Sequence, residues 1–155
     1  MKYGDQRENE PAEVQQLQDQ HTETRVGAGK VMTPVGALNV LVVEDNAIIA
    51  MFYADLLEEI GLVVCAIEST EASAVAAAAR CKPNLMIVDV SLREGNGMKA
   101  VEQILRGGFV PHVFISGDAT SVLSIRPDAI VLQKPFIATD LTYAIQRALI
   151  EAKHT

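Results

Sequence analysis

Between residues 38 and 149, short apolar runs alternate with stretches in which apolar residues recur every three or four positions. Leu38 to Val43 is an apolar run ending in two acids, and Leu62 to Ile67, Leu85 to Asp89, Val110 to Ile115 and Ala129 to Leu132 are four more. Runs of this length bounded by turn signals predict buried strands. Asn46 can cap a helix whose inner face is Ile49, Phe52, Tyr53, Leu56 and Ile60, with Gly61 as its stop. Ser69 or Thr70 opens an Ala-rich helix to Arg80, and Pro83 prevents its continuation. Gly95 and Gly97 lead into a helix through Val101, Ile104 and Leu105, stopped by Gly107 and Gly108. A helix from Ala119 to Ile125 would have only about two turns. Thr139 or Asp140 caps a last helix buried through Leu141, Ile145, Ala148 and Leu149.

A strand followed by a helix, repeated five times with nearly continuous apolar strands, predicts an α/β fold: a doubly wound five-stranded parallel sheet in a three-layer sandwich. Crossovers should be right-handed. Such sheets bind ligands outside the carboxyl ends of their strands, so function is sought there.

Composition narrows the picture without changing it. The chain has 155 residues, 49% hydrophobic and 21% charged, which suits one soluble globular core. A net charge of -7 argues against a nucleic-acid footprint, which needs concentrated Lys and Arg. No apolar stretch approaches the roughly 20 residues of a membrane span, so no membrane association and a cytoplasmic location are expected. Residues 1–37 carry six acidic and four basic side chains, interspersed glutamines and few apolar residues, and are expected to be a mobile tail ending in a Gly- and Pro-containing linker. Cys65 and Cys81 form neither a CxxC pair nor a zinc pattern and read as small, semi-buried thiols. His21, His112 and His154 follow no metal-ligand spacing.

The strand ends carry one kind of chemistry. The first ends in Glu44 and Asp45, the third in Asp89, the fourth in Ser116, and the fifth in Lys134 followed by Pro135. Three carboxylates brought together must raise a pKa or recruit a cation. A hard ion such as Mg²⁺ suits a site of few carboxylates, waters and a phosphate oxygen. Lys134 offers a compact charge to a phosphoryl oxygen and Ser116 a hydroxyl. With the transferring group neutralised, Asp89 can act as nucleophile and form an acyl phosphate.

In this order, LVVED (Leu41 to Asp45), IVDVSL (Ile87 to Leu92), FISGD (Phe114 to Asp118) and KPF (Lys134 to Phe136) make the chain resemble the receiver domain of bacterial response regulators, the flavodoxin-like fold of the chemotaxis protein CheY. The resemblance spans Leu38 to about Ala152, and the receiver is expected over residues 38–155. It implies that Asp89 is the phosphoacceptor, attacking a phosphohistidine on a sensor histidine kinase or phosphotransfer protein. It implies Glu44, Asp45, Asp89 and the main-chain carbonyl of Ser91 as the Mg²⁺ site. Ser116 matches the switch hydroxyl and Lys134 the lysine that pairs with the phosphoryl group, with the Lys134–Pro135 bond commonly cis.

Two positions depart from that pattern. The switch aromatic three residues before the lysine is Val131 here, and the stretch from Ser116 to Lys134 is short and interrupted by Arg126 and Pro127. With Phe114, Ser116 and Gly117, this resembles the receiver subgroup nicknamed FAT GUY. Since the chain ends directly after the fifth helix, a stand-alone receiver is expected, a signalling protein rather than an enzyme acting on a separate substrate. It would promote its own phosphorylation and dephosphorylation, and its output would be contact with an unidentified downstream protein or withdrawal of phosphate as a sink. The alternative is a receiver-fold adaptor that is never phosphorylated, against which the complete set of site residues counts. A phosphohydrolase or FMN-binding reading lacks its motifs: there is no Walker sequence, no DxD pair and no Ser/Thr/Gly-rich first loop.

Overall fold

The structure is a computed structural model that describes residues 37–155. The tail and linker expected over 1–37 lie, apart from Ala37, outside the described residues. Five parallel strands form one sheet: β1 (Asn39–Val43), β2 (Val63–Glu68), β3 (Leu85–Asp89), β4 (His112–Ser116) and β5 (Val131–Gln133), in the order β2-β1-β3-β4-β5. Helices follow each strand in turn: α1 (Ala47–Glu59), α2 (Glu71–Cys81), α3 (Gly97–Leu105), α4 (Ala119–Ile125) and α5 (Ala138–Ala152).

Because side chains alternate faces along a strand, the continuous apolar strands feed two cores at once. Val40 and Val42 of β1 and Leu85 and Ile87 of β3 pack with α1 and α5 through Ala50, Tyr53, Leu57, Leu141 and Ile145. Their neighbours Leu41, Val43, Met86 and Val88 pack on the other face with Ala74 and Ala77 of α2, Ala100 and Val101 of α3 and Val122 of α4. The expected three-layer α/β sandwich is thereby formed.

Local differences have local causes. The inner line of α1 is Ala50, Tyr53 and Leu57, while Phe52, expected inside, is 52% exposed. A small residue faces the sheet where space is limited, and Ile49, Leu56 and Ile60 flank it half-buried. Strand β4 begins at His112 because Pro111 has no N–H for the ladder, and its carbonyl instead accepts from Met86 N at 2.9 Å. Helix α5 begins at Ala138; Asp140, expected as a candidate cap, sits in its first turn and accepts from Ile137 N at 3.0 Å. The caps of α1 and α2 are Asn46 and Thr70, as the pattern predicts.

Candidate functional site

The parallel strands all deliver their last residues to one edge. Asp89 closes the central strand β3 and is 2% exposed. Its Oδ1 accepts from Ser91 N at 2.8 Å and its Oδ2 from Lys134 Nζ at 2.5 Å. Lys134 follows β5 and is joined to Pro135 by a cis bond; its N–H donates to Ser116 O at 2.8 Å. Glu44, just past β1, is 3% exposed. Its Oε1 accepts from Asn46 N at 3.1 Å, while Oε2 is buried without a hydrogen-bond partner. Burial, reinforced by the neighbouring Asp89, pushes the Glu44 carboxyl up to about 8, against the opposite pull of the Asn46 N–H and Lys134. The same burial, with the charges of Glu44 and Asp89, raises the Tyr53 hydroxyl.

The remaining expected residues lie around this pair. Asp45 turns toward the β3–α3 loop, where Oδ2 accepts from Arg93 N at 2.9 Å and lies 3.7 Å from Arg93 Nε. Ser91 holds Asp89 through its N–H. Ser116 ends β4, is 6% exposed, and accepts from Asp118 N at 3.0 Å through Oγ. Among the described residues, no three acidic, histidine or cysteine side chains stand together as a ready metal cluster. Each acid has a separate local donor, the arrangement that mutual repulsion favours. The donor set nevertheless fits a hard cation, since Glu44 Oε2 is a buried oxygen with no partner beside a second carboxylate.

Gly97 is required by close approach: a Cβ there would lie 2.0 Å from the carbonyl oxygen of Asp89. Its absence lets α3 begin directly against the acid-bearing strand, with Gly97 N donating to Val90 O at 3.0 Å.

Two positioning side chains escaped the sequence analysis. Gln133 Oε1 accepts from Ala119 N at 2.8 Å and its Nε2 donates to Gly117 O at 2.6 Å, tying the β4–α4 loop to β5. Glu71, first in α2, accepts from Asn96 N at 2.9 Å and from Gln103 Nε2 at 2.7 Å, holding the β3–α3 loop. Gln133 had one available signal, its place directly before Lys134. Glu71 had none, because its partners lie more than twenty positions away.

A parallel sheet in this strand order, with a buried aspartate, an acidic neighbour and a lysine at its carboxyl edge, defines a CheY-like receiver of two-component signalling. The chain belongs to the response regulator receiver domain family, which matches residues 40–146. It is 32% identical over 126 residues to the phyllosphere-induced regulator PhyR of Methylorubrum extorquens, covering 79% of this chain and 47% of that protein. It is 32% identical over 116 residues to the transcriptional regulatory protein KdpE of Escherichia coli, covering 72% of this chain and 51% of that one. The chain thus spans about half the length of these curated relatives. The solved receiver domain of Erythrobacter litoralis PhyR superposes with a TM-score of 0.70 at 33% identity, covering 74% of this chain and 92% of that one. No helix among the described residues is long and apolar enough to cross a membrane.

Proposed function

We propose that this receiver, spanning residues 38–155, accepts a phosphoryl group on Asp89 from a sensor histidine kinase or phosphotransfer protein in a Mg²⁺-dependent reaction. Its output is contact with a downstream protein or the draining of phosphate from the kinase. The observation that carries this reading is the environment of Asp89: a buried carboxylate on the central strand, paired with Lys134 and next to the unpartnered Oε2 of Glu44. In the transfer, an Asp89 carboxylate oxygen forms a bond to phosphorus as the phosphorus–nitrogen bond of the phosphohistidine breaks and the imidazole leaves. Glu44, Asp45, Asp89 and the Ser91 carbonyl would hold Mg²⁺, which when bound supplies charge neutralisation for the phosphoryl oxygens. Lys134 then passes from Asp89 to a phosphoryl oxygen, and Ser116 donates its hydroxyl to another.

The test is phosphotransfer from labelled candidate kinases with Mg²⁺ present. Wild type takes up label, whereas an Asp89→Asn variant stays folded and unlabelled. Full labelling of Asp89→Asn would place the acceptor elsewhere. Asp45→Ala should weaken Mg²⁺ binding, and an unchanged titration would remove it from the ligand set. Lys134→Ala should retain Mg²⁺ while losing the response to phosphate. The adaptor reading draws on the engagement of Asp45 with Arg93; it predicts that no donor labels the wild type. PhyR of Bartonella quintana, whose structure is 26% identical to this chain, is described as an anti-anti-sigma factor; an output through protein contact agrees with that relative.

A further inference from the structure

Outside the acid-bearing edge, one other pair of reactive side chains is brought together by the fold. Cys65 lies in the edge strand β2 and Cys81 is the last residue of α2, the helix that follows it. Sixteen positions apart, their Sγ atoms stand 2.8 Å from each other. A formed disulfide needs about 2.05 Å, so closure asks for a sulfur movement of less than about 1 Å. Both residues are free thiols and half-buried, within reach of small reagents, and they are the two cysteines of the entire chain.

We propose that Cys65 and Cys81 are a redox modification site, a dithiol that closes reversibly to an intramolecular disulfide on reaction with a small-molecule disulfide. One of the two cysteines, as its thiolate, attacks one sulfur of the oxidant, whose sulfur–sulfur bond breaks and releases one thiolate. The other cysteine then gives its proton to solvent and attacks the protein sulfur of the mixed disulfide, expelling the second thiolate. The two cysteine sulfurs together lose two electrons, and the oxidant leaves as two thiols. Burial, with Cys81 alongside, pushes the Cys65 thiol up to about 12, so closure should quicken as pH rises.

The site has a structural lever. The loop it closes contains Thr70 and Glu71, which begin α2 and hold the β3–α3 loop through Glu71 N to Glu94 O and Asn96 N to Glu71 Oε2. A covalent bond at one end of α2 therefore fixes the helix whose other end positions the loop containing Ser91 and Arg93. The chemistry itself does not depend on Asp89.

The full chain, reduced and desalted, is exposed to oxidised glutathione, denatured in maleimide and weighed intact. The expected product has lost the mass of two hydrogens, carries neither maleimide nor glutathione, runs as a monomer without reductant and regains both thiols in dithiothreitol. Its melting temperature should rise by roughly 10 °C, since a loop is closed in the unfolded chain. Cys65→Ser and Cys81→Ser should each stop at a single glutathione adduct on the remaining cysteine. Two maleimides on the oxidised wild type, two glutathione adducts, or a disulfide-linked dimer would each overturn the proposal.

Discussion

Helices α4 and α5 flank the same half of the sheet, yet they are held in different ways. Helix α5 has fifteen residues and buries Leu141, Ala144, Ile145 and Ala148. Helix α4 has seven and buries Val122 alone, with Leu123 and Ile125 turned 39% and 70% to solvent. What α4 lacks in apolar area is replaced by polar bonds at its start. Asp118 accepts from Ser121 N and Oγ, Gln133 accepts from Ala119 N, and Ser116 accepts from Asp118 N. Apolar burial is non-directional and anchors a helix to the core as a whole. A few directional bonds, each worth a net ~1 kcal/mol, anchor it to particular neighbours. Those neighbours are Ser116 and the residue beside Lys134, so α4 is fastened to the site and α5 to the core.

The largest effect that breaks this contrast should come from Leu141→Ala. Truncating a side chain that is 2% exposed should cost about 2 to 5 kcal/mol of global stability, read by denaturant unfolding. Val122→Ala should cost about 2 kcal/mol and loosen α4 first. If the two lowered global stability equally, α4 would be as much a part of the core as α5.

Native hydrogen exchange sharpens the comparison. Amides of α4 should exchange through local opening, faster than those from Leu141 to Ala148, and Mg²⁺ with beryllofluoride as a phosphate mimic should slow α4 selectively. Equal protection unaffected by the mimic would detach α4 from the site. A smaller effect is expected from Gln133→Leu, which deletes the bonds to Ala119 N and Gly117 O. It should weaken α4 by ~1 kcal/mol of local opening energy and leave α5 exchange untouched.

The smallest effect concerns acid. Its hydrogen bonds to Ser121 hold the Asp118 carboxyl below the usual 3.8. The native carboxylate is then more acidic than the unfolded one, so its contribution is complete above 3.8 and is lost as pH falls through the lower native value. Protection of α4 relative to α5 should decline across that window, and Asp118→Asn, which does not titrate, should flatten the decline. A decline of the same steepness in the variant would assign it to another group.

Much of this architecture is legible in the chain because each strand is an uninterrupted apolar run that ends in a polar group. Glu44, Asp89, Ser116 and Lys134 could be placed at one edge from topology alone, since parallel strands share a direction. The rotation of α1 was not legible: bulky residues dominate a helical pattern, and Ala50 occupies the inner line by virtue of its size. The positions of Gln133 and Glu71 were hidden for another reason. Their bonds join loops from distant parts of the chain, and loop geometry has no periodicity to read. The orientation of Asp45 toward Arg93 belongs to the same class.

Strand β3 occupies the middle of the sheet, laddered to β1 on one side and β4 on the other. Displacing its end would shear two ladders at once, unlike the end of either edge strand, β2 or β5. The loops after β1, β3, β4 and β5 lie outside these ladders; those after β3 and β4 are fastened by single bonds from Glu71, Asp45 and Gln133. Asp89 is thus an anvil inside a rim of singly fastened loops, and on the proposed function a protein that reads its phosphorylation would do so from the contour of that rim, by touch at the loops.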